Sequence, residues 1–246
     1  MRIESEPGYV LHTAPYRETS LLVDLFTQHH GRIKCVAKGF RKPSKKGVSK
    51  VLFPYTEHHF QWQGRGDLKT LIKADAIQAP VFLHQESLFI GLYLNEVLYR
   101  LLHQYDPHQS LYQHYSQLMA RLSTQGLEQD LLRRFEIGLL EELGYGLVLN
   151  LEADSGNPIS PEGFYHYIPE HGFRESKQPS SNGNIGFKGA DIIAIAADNF
   201  EQQSTLKAAK QLTRQVIDFY LDGRQLNSRE LYRQHLLEAD STGQYQ

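Results

Sequence analysis

SLLVDLFTQHHGRIKCVAKG, residues 20–39, contains two apolar runs on either side of a short His-His-Gly turn. Runs of this composition between turn residues predict two β-strands, 20–27 and 32–39. Side chains alternate between the faces of a strand, so one face of the second strand carries Ile33, Cys35 and Ala37. The other face carries Val36 and three cations, Arg32, Lys34 and Lys38. The pattern therefore predicts a strand with a core side and a cationic side.

Three more runs of this type complete a set of five strands within residues 1–80. They are YVLHTA (9–14), LFPYTEHHFQWQ (52–63) and DLKTLIKADAI (67–77). Five short strands with glycines at the turns favour a small closed barrel, of which the oligonucleotide-binding OB fold is the commonest kind. An SH3-like barrel fits the same pattern, so the strands alone leave both open.

After Pro80 the apolar spacing changes from two residues to about 3.6, which predicts helices. The predicted helical segments are 87–103, 110–123, 127–143, 190–200, 204–221 and 228–237. Residues 150–189 are rich in Gly, Pro, Ser and Asn and contain no cysteine, which predicts a loop-rich insert with a small hairpin. The predicted fold class is α+β, with an N-terminal five-stranded OB-fold β-barrel at 1–80 and a mostly α-helical C-terminal domain at 81–246.

The composition is that of a globular protein with a hydrophobic core, since 40% of the 246 residues are hydrophobic and 22% are charged. Cys35 is the single cysteine and cannot form an intramolecular disulfide. The sequence shows neither a signal-peptide pattern nor a membrane-length apolar run. These features predict a cytoplasmic protein.

Charge is distributed unevenly although the formal net charge is only −2. Residues 1–80 contain 13 Lys or Arg and 7 Asp or Glu, whereas residues 81–246 contain 13 and 21. KGFRKPSKKGVSK, residues 38–50, holds six cations and no acid. Such asymmetry indicates two domains and a polyanion as partner of the first, although a solvated basic surface would also explain it.

The candidate nucleic-acid contacts follow this charge. In the strand at 67–77, alternation puts Leu68, Thr70 and Ile72 on one face and two lysines on the other. The full set is Arg32, Lys34, Lys38, Phe40, Arg41, Lys42, Lys45, Lys46, Lys50, Arg65, Lys69 and Lys73. Phe40 is the candidate for stacking on bases, because glycine and cations flank it in a loop. Phe60 and Trp62 share a strand face and fit either the core or a stacking role.

Catalytic chemistry finds little support in the sequence. His29/His30 and His58/His59 are adjacent pairs, and neighbouring strand residues point to opposite faces, so neither pair closes on one metal. HYIPEH (166–171) is similar to a metalloprotease helix motif, but Pro169 breaks the helix that such a motif needs. A phosphate-binding loop and a nucleophile elbow are both absent from the sequence. We therefore predict that the protein is not an enzyme.

Arg133 and Arg134 lie on a predicted helix whose other side is strongly apolar. Two arginines beside an apolar stripe could hold an acidic peptide by charge-assisted hydrogen bonds while the stripe accepts its hydrophobic end. Surface arginines whose stems cover the core would give the same pattern.

Six strings occur in order along the chain: ETSLLVDLFT (18–27), GRIKCVAKGFR (31–41), GRGDLKTL (64–71), GLYLNEVLYRLL (91–102), LLRRFEIGLLEELGY (131–145) and LNSREL (226–231). Together they closely resemble the RecO family of bacterial recombination mediators. The resemblance implies an OB domain followed by a helical domain, and binding of single- and double-stranded DNA without hydrolysis. It also implies annealing of complementary strands, and action with RecR, and often RecF, to load RecA onto DNA coated by single-strand-binding protein (SSB).

The resemblance further implies contact between the helical domain and the acidic, hydrophobic-ended C-terminal tail of SSB, a role that we assign to Arg133 and Arg134. Zinc-bearing members of the family have two C-x-x-C pairs in the insert, whereas this chain reads EADSG (152–156) at the first and has no cysteine in 150–189. We therefore expect no zinc and no cofactor, and an insert held by packing alone.

Together these observations predict a DNA repair and homologous recombination mediator that is cytoplasmic, is nucleoid-associated during repair and has no membrane partner. Its expected partners are DNA, RecR, the SSB tail and RecF, with RecA engaged indirectly. Two alternatives remain, an RNA-binding OB module and an enzyme that processes nucleic acid, such as a nuclease.

Overall fold

The predicted strands close into a barrel in the computed structural model, which describes residues 2–41, 51–176, 180–181 and 184–242. The strands of the described residues are β1 (Arg2–Tyr16), β2 (Ser20–Thr27), β3 (Gly31–Ala37), β4 (His58–Gln63), β5 (Leu68–Ala76), β6 (Phe164–Ile168), β7 (Gly172–Ser176), β8 (Ser180–Ser181) and β9 (Asn184–Lys188). The helices are α1 (Gln85–Leu101), α2 (Gln109–Thr124), α3 (Gln129–Glu142), α4 (Gly189–Ala196), α5 (Gln203–Tyr220) and α6 (Asn227–Thr242). The predicted α+β class, with a barrel before the helices, is confirmed.

The barrel has the strand order β1-β2-β3-β5-β4, and β1 closes it by pairing with β4. All neighbours are antiparallel except β3 and β5, which run parallel. A closed five-stranded barrel of this kind corresponds to the OB fold. Gly8 pairs with both β2 and β4, and a Cβ there would lie 2.9 Å from the carbonyl oxygen of Phe26, so the corner needs a glycine.

The barrel interior confirms the phase predicted for β3, because Ile33, Cys35 and Ala37 are all buried there. Phe60 and Trp62 are 0% and 2% exposed and belong to the same core. Their rings are therefore enclosed by protein, which decides between the two readings in favour of a core role.

Contacts divide the chain into two compact units, residues 1–127 with 226–246 and residues 128–225. In the first unit, the cross-strand pair Tyr9 and Phe26 lies on the outside of β1 and β2. Both rings are buried against Tyr112 and Tyr115 of α2, with ring centroids 4.9 to 6.0 Å apart. Helices of the first unit therefore cover this side of the barrel.

A buried polar bridge fixes that packing. The pairing of β1 with β2 shifts register between Val10 and His12, so Leu11 forms a bulge. Asn95 of α1 donates from Nδ2 to the Val10 carbonyl at 3.2 Å, and the Tyr115 hydroxyl donates to Asn95 Oδ1 at 2.5 Å. The Asn95 side chain thus links α1 to both β1 and α2.

The helix α6 is anchored at its start by α1. The carboxylate of Glu96 accepts hydrogen bonds from the backbone amides of Asn227 and Ser228, at 3.0 and 2.8 Å, and from the Ser228 hydroxyl. A carboxylate at this end satisfies free amides and complements the positive end of the helix dipole. The string LNSREL is therefore a capping segment in this fold.

The second unit corrects the prediction for the insert. Instead of one small hairpin, the structure has a four-stranded sheet of order β7-β6-β9-β8 in which β6 and β7 form the hairpin. Buried Tyr165, Tyr167, Phe173 and Phe187 give this sheet a core of its own. The many Gly, Ser and Asn residues concealed that aromatic pattern. Helix α5 packs against α3 and α4 in the same unit.

Within the described residues, the helices all fall short of the length and apolarity needed to cross a membrane.

Replacing Asn95 by Leu should lower the free energy of unfolding of the first unit by about 3 kcal/mol, because the buried Val10 carbonyl and the buried Tyr115 hydroxyl would each lose the hydrogen bond to Asn95. Urea unfolding followed by the fluorescence of Trp62, the single tryptophan, measures this directly. The control Gln117→Leu on the exposed side of α2 should change stability by less than about 0.5 kcal/mol. Equal effects of the two variants would contradict the bridge.

Candidate nucleic-acid interface

The cations predicted on β3 differ in how available they are. Arg32 lies against the end of α1, where its Nε donates to the Leu102 carbonyl at 3.0 Å and its Nη1 pairs with Asp24 at 2.9 Å. Its guanidinium also lies 5.4 Å from the ring centroid of Tyr99. Asp24 is 1% exposed, and this burial raises its pKa against the opposing effect of Arg32. These contacts favour a structural role for Arg32.

Lys34 and Lys38 have a different setting. Lys34 is half-buried on β3, opposite Leu68 of β5, and Lys38 is exposed just after the strand. Among the described residues, neither lysine is seen in an ion pair. Both can therefore turn their ammonium groups to a phosphate backbone without breaking a pair seen here.

The predicted outward position of Lys69 is wrong. Lys69 is 8% exposed, and its Nζ donates to the Gly66 carbonyl at 2.8 Å and lies 4.9 Å from the ring centroid of Tyr105. The pairing of Lys34 with Leu68 sets the register of β5 so that Leu68 and Ile72 are the exposed residues, at 44% and 38%. The predicted faces are therefore reversed at Leu68 and Lys69, and a register shift against β4 then leaves both Ile72 and Lys73 exposed, so the alternation does not continue along β5.

The other predicted contacts on this side remain accessible. Lys73 is exposed and pairs with Asp75 at 2.5 Å, and Arg65 is exposed in the turn between β4 and β5. Phe40 is half-buried and packs against the barrel core, so part of its ring is covered. Four predicted contacts, Lys42, Lys45, Lys46 and Lys50, lie outside the described residues.

A second cationic element, missed by the sequence analysis, lies in the turn between β1 and β2. Arg17 is exposed there with φ +52°, and its guanidinium lies 5.1 Å from the ring centroid of Tyr16. Arg41 joins this turn, because its Nη1 donates to the Arg17 carbonyl at 3.0 Å and its amide to the Thr19 carbonyl at 3.1 Å. The first loop of an OB fold often binds oligonucleotides, and that rule could have drawn attention to Arg17.

Metal chemistry gains no support from the described residues, where groups of three His, Cys, Asp or Glu side chains suited to a metal are absent. His58 is buried and His59 exposed, as alternation predicts. For the other pair the predicted placement on opposite strand faces is wrong, because His29 and His30 lie in a turn and both Nδ1 atoms approach Glu6, at 3.3 and 3.2 Å.

The two arginines of α3 are in unlike environments. Arg133 is buried between α3 and α5, where Nη1 lies 2.7 Å from Glu136, whose carboxylate also accepts from Thr213 at 2.5 Å. Arg134 is 36% exposed, pairs with Asp198 and borders a cavity of about 600 Å³. The structure therefore does not bring Arg133 and Arg134 together at one surface.

The EADSG turn of the insert contains no cysteine, and a carboxylate organises it instead. Glu152 accepts hydrogen bonds from the backbone amides of Asp154 and Ser155, at 3.1 and 2.5 Å. Asp154 pairs in turn with Arg174 of β7 at 3.0 Å. Hydrogen bonds from Ser155 and its neighbours lower the pKa of Glu152 to about 2. The residues present do not fit a thiolate zinc site.

The barrel topology and the exposed cations at its turns define the class of this protein, an OB-fold protein with a helical C-terminal region. A family model described as "Recombination protein O N terminal" matches residues 1–80, and one described as "Recombination protein O C terminal" matches residues 85–230. Together the two models cover most of the chain, so the chain belongs to the RecO family.

Relatives named "DNA repair protein RecO" match along nearly the whole length. The protein of Tolumonas auensis is 43% identical over 227 residues, which are 92% of this chain and 93% of the relative. That of Actinobacillus pleuropneumoniae serotype 5b is 41% identical over 227 residues, with the same coverage. That of Haemophilus influenzae (strain 86-028NP) is 40% identical over 237 residues, 96% of this chain and 99% of the relative.

The variants Arg32→Gln and Lys38→Gln should differ in stability, because Arg32 is bound within the fold and Lys38 is exposed. Loss of Arg32 leaves the buried Asp24 carboxylate without its ion-pair partner and should cost about 3 kcal/mol or more of unfolding free energy. Loss of the exposed Lys38 should cost less than about 0.5 kcal/mol. Denaturant unfolding measures both, and a stable Arg32→Gln variant would contradict the structural role.

Glu152→Gln should lower the melting temperature of the second unit in a pH-dependent way. Because the folded pKa of Glu152 is depressed to about 2, its stabilisation is full above the ordinary value of 4.5 and is lost as pH falls toward 2. The difference between the native protein and the variant should therefore shrink over that window in thermal scans. A difference that stays constant with pH would contradict the stabilising role of the Glu152 carboxylate. A fall in melting temperature when a zinc chelator is added would contradict the expectation that the insert binds no zinc.

Proposed function

We propose that this protein is a DNA repair and homologous recombination mediator that binds single- and double-stranded DNA and anneals complementary strands. Membership of the RecO family and the names of the relatives support the repair role. One observation carries the DNA-binding role: Arg41 is tied to the turn that holds Arg17, at the place where the chain enters its most basic segment. Cations from two loops are thereby gathered on one barrel.

The proposed mechanism is electrostatic. Cations that contact phosphates release condensed counterions, which gives affinity without sequence specificity and makes it fall steeply with salt. Two strands held on neutralising surfaces repel each other less while their bases pair. Leu68 of β5, which is exposed and lies opposite Lys34, offers apolar contact beside that lysine. No covalent step is required, so the protein acts without catalysis.

We further propose that the helical region makes the protein contacts of the mediator, with RecR, with RecF and with the acidic tail of SSB, and that these contacts serve RecA loading. Arg134 is the group proposed to bind the tail, because it borders a cavity that Phe200 and Leu206 make partly apolar. Arg133 is not proposed for this role, since its guanidinium is buried with Glu136. The proposed division of labour places DNA binding within residues 1–80 and partner binding within 81–246.

Replacing Lys42, Lys45 and Lys46 together by Gln should weaken binding of single-stranded DNA about tenfold at moderate salt. The slope of log affinity against log salt should fall in magnitude by about 2, since each phosphate contact on a single strand contributes about 0.7. Anisotropy of a labelled oligonucleotide across a salt titration measures both quantities, and strand annealing should slow in parallel.

The matched control removes three exposed cations from α5, Lys207, Lys210 and Arg214, and should leave slope and affinity unchanged. Equal losses in the two triple variants would show a diffuse charge effect. Unchanged affinity of the barrel variant at low and moderate salt would refute the assignment of these lysines.

A further inference from the structure

Arg134 borders the cavity of the second unit but is already occupied by the protein's own acids. Its Nη1 pairs with the Asp198 carboxylate, and its Nη2 donates to the Asp198 carbonyl at 3.1 Å. Its Nε lies 3.7 Å from Asp130, and the guanidinium lies 5.0 Å from the ring centroid of Phe200. An arginine stacked on an aromatic ring beside a cavity is suited to a carboxylate ligand. Here Asp198 takes the place of that ligand.

The backbone at Asp198 does not require an aspartate. Asp198 follows α4 with φ +56°, and its amide donates to Ile195 at 3.0 Å while the next amide donates to Ala194 at 2.9 Å. This is a helix C-terminal motif whose left-handed position favours Gly or Asn. The turn does not require the Asp198 carboxylate, and that carboxylate forms an ion pair with Arg134.

The pair is also exposed enough to exchange. The side chains of Arg134 and Asp198 are 36% and 67% exposed, so a released Asp198 carboxylate would be solvated by water. Exposed ion pairs contribute little net free energy for that reason. In the neighbouring pair of Arg133 and Glu136, the side chains are only 9% and 4% exposed. The same exchange would there break the ion pair of a buried carboxylate, which costs much more free energy.

We infer that Asp198 is an internal competitor that occupies Arg134 until a carboxylate-rich peptide with an apolar end displaces it. This inference rests on the proposed binding of an acidic tail at Arg134 and adds the regulation of that site. The affinity of the peptide is then reduced by the pairing that it must replace. Asp130 and Glu201 beside the cavity add repulsion, so binding needs the apolar contact with Phe200 and Leu206 as well.

Asp198→Asn tests the inference in the full-length protein, because Asn suits the left-handed turn and removes only the charge. A fluorescent peptide of four aspartates with a C-terminal phenylalanine should bind the variant about threefold to tenfold more tightly than the native protein. The gain should shrink as salt rises. The matched control is Asp222→Asn, since Asp222 also follows a helix at positive φ, +51°, and does not border the cavity.

A gain for Asp198→Asn alone supports the competitor, and its loss in the double variant Arg134→Gln/Asp198→Asn supports Arg134 as the group released. Equal affinity of the native protein and Asp198→Asn overturns the inference, as does an equal gain in Asp222→Asn. If neither the native protein nor Asp198→Asn binds the peptide, the acidic-tail site itself is refuted together with its competitor. DNA annealing, measured on the same samples, then tells whether the proposed mediator function still stands.

Discussion

The bridge that Asn95 makes between β1 and helices α1 and α2 decides which side of the barrel is closed to solvent. The 15-residue strand β1 pairs with both β2 and β4, so it must bend, and the bulge at Leu11 supplies a bend. A bulge disrupts the ladder locally, and Asn95 provides a partner for the nearby Val10 carbonyl. The tyrosines of α2 then bury the outer rings of β1 and β2.

The segments that cover the barrel determine which of its cations are exposed. At one end of β2, Gly31 has φ +69° and a Cβ there would lie 2.1 Å from the Asp106 carbonyl oxygen, so the segment between α1 and α2 sits directly on that turn. Arg32 lies beneath the same segment and is tied to it. At the other end of β2, Arg17 and Arg41 are exposed. At the two ends of β2, therefore, Arg32 is held by the segment that covers its end, whereas Arg17 and Arg41 are accessible to a polyanion.

The sequence was sufficient for the barrel because β2 and β3 alternate clearly, and the inward set Ile33, Cys35 and Ala37 is confirmed. Alternation failed at β5, where both faces carry apolar residues. The inward position of Lys69 depends on the ring of Tyr105, which is distant in sequence, and on the Gly66 carbonyl, whose direction is set by the turn. The sequence did not indicate Arg17, because Arg17 and Arg41 come together only once the barrel has closed. In the insert, Tyr165 and Tyr167 do alternate, but Phe173 and Phe187 are single aromatic residues among Gly, Ser and Asn, so the sequence indicated only a small hairpin.

The adjacent arginines of α3 show why residue type alone does not assign a binding site. Neighbouring helix positions point about 100° apart, so one guanidinium enters the contact with α5 while the other reaches the surface. Releasing Arg133 would break the ion pair of a Glu136 carboxylate that is only 4% exposed, at a cost of about 3 kcal/mol or more. Releasing Arg134 gives up an exposed pair worth about 1 kcal/mol or less. The second cost is much the smaller, so burial makes Arg133 a structural residue, and the proposed binding of an acidic ligand falls to Arg134.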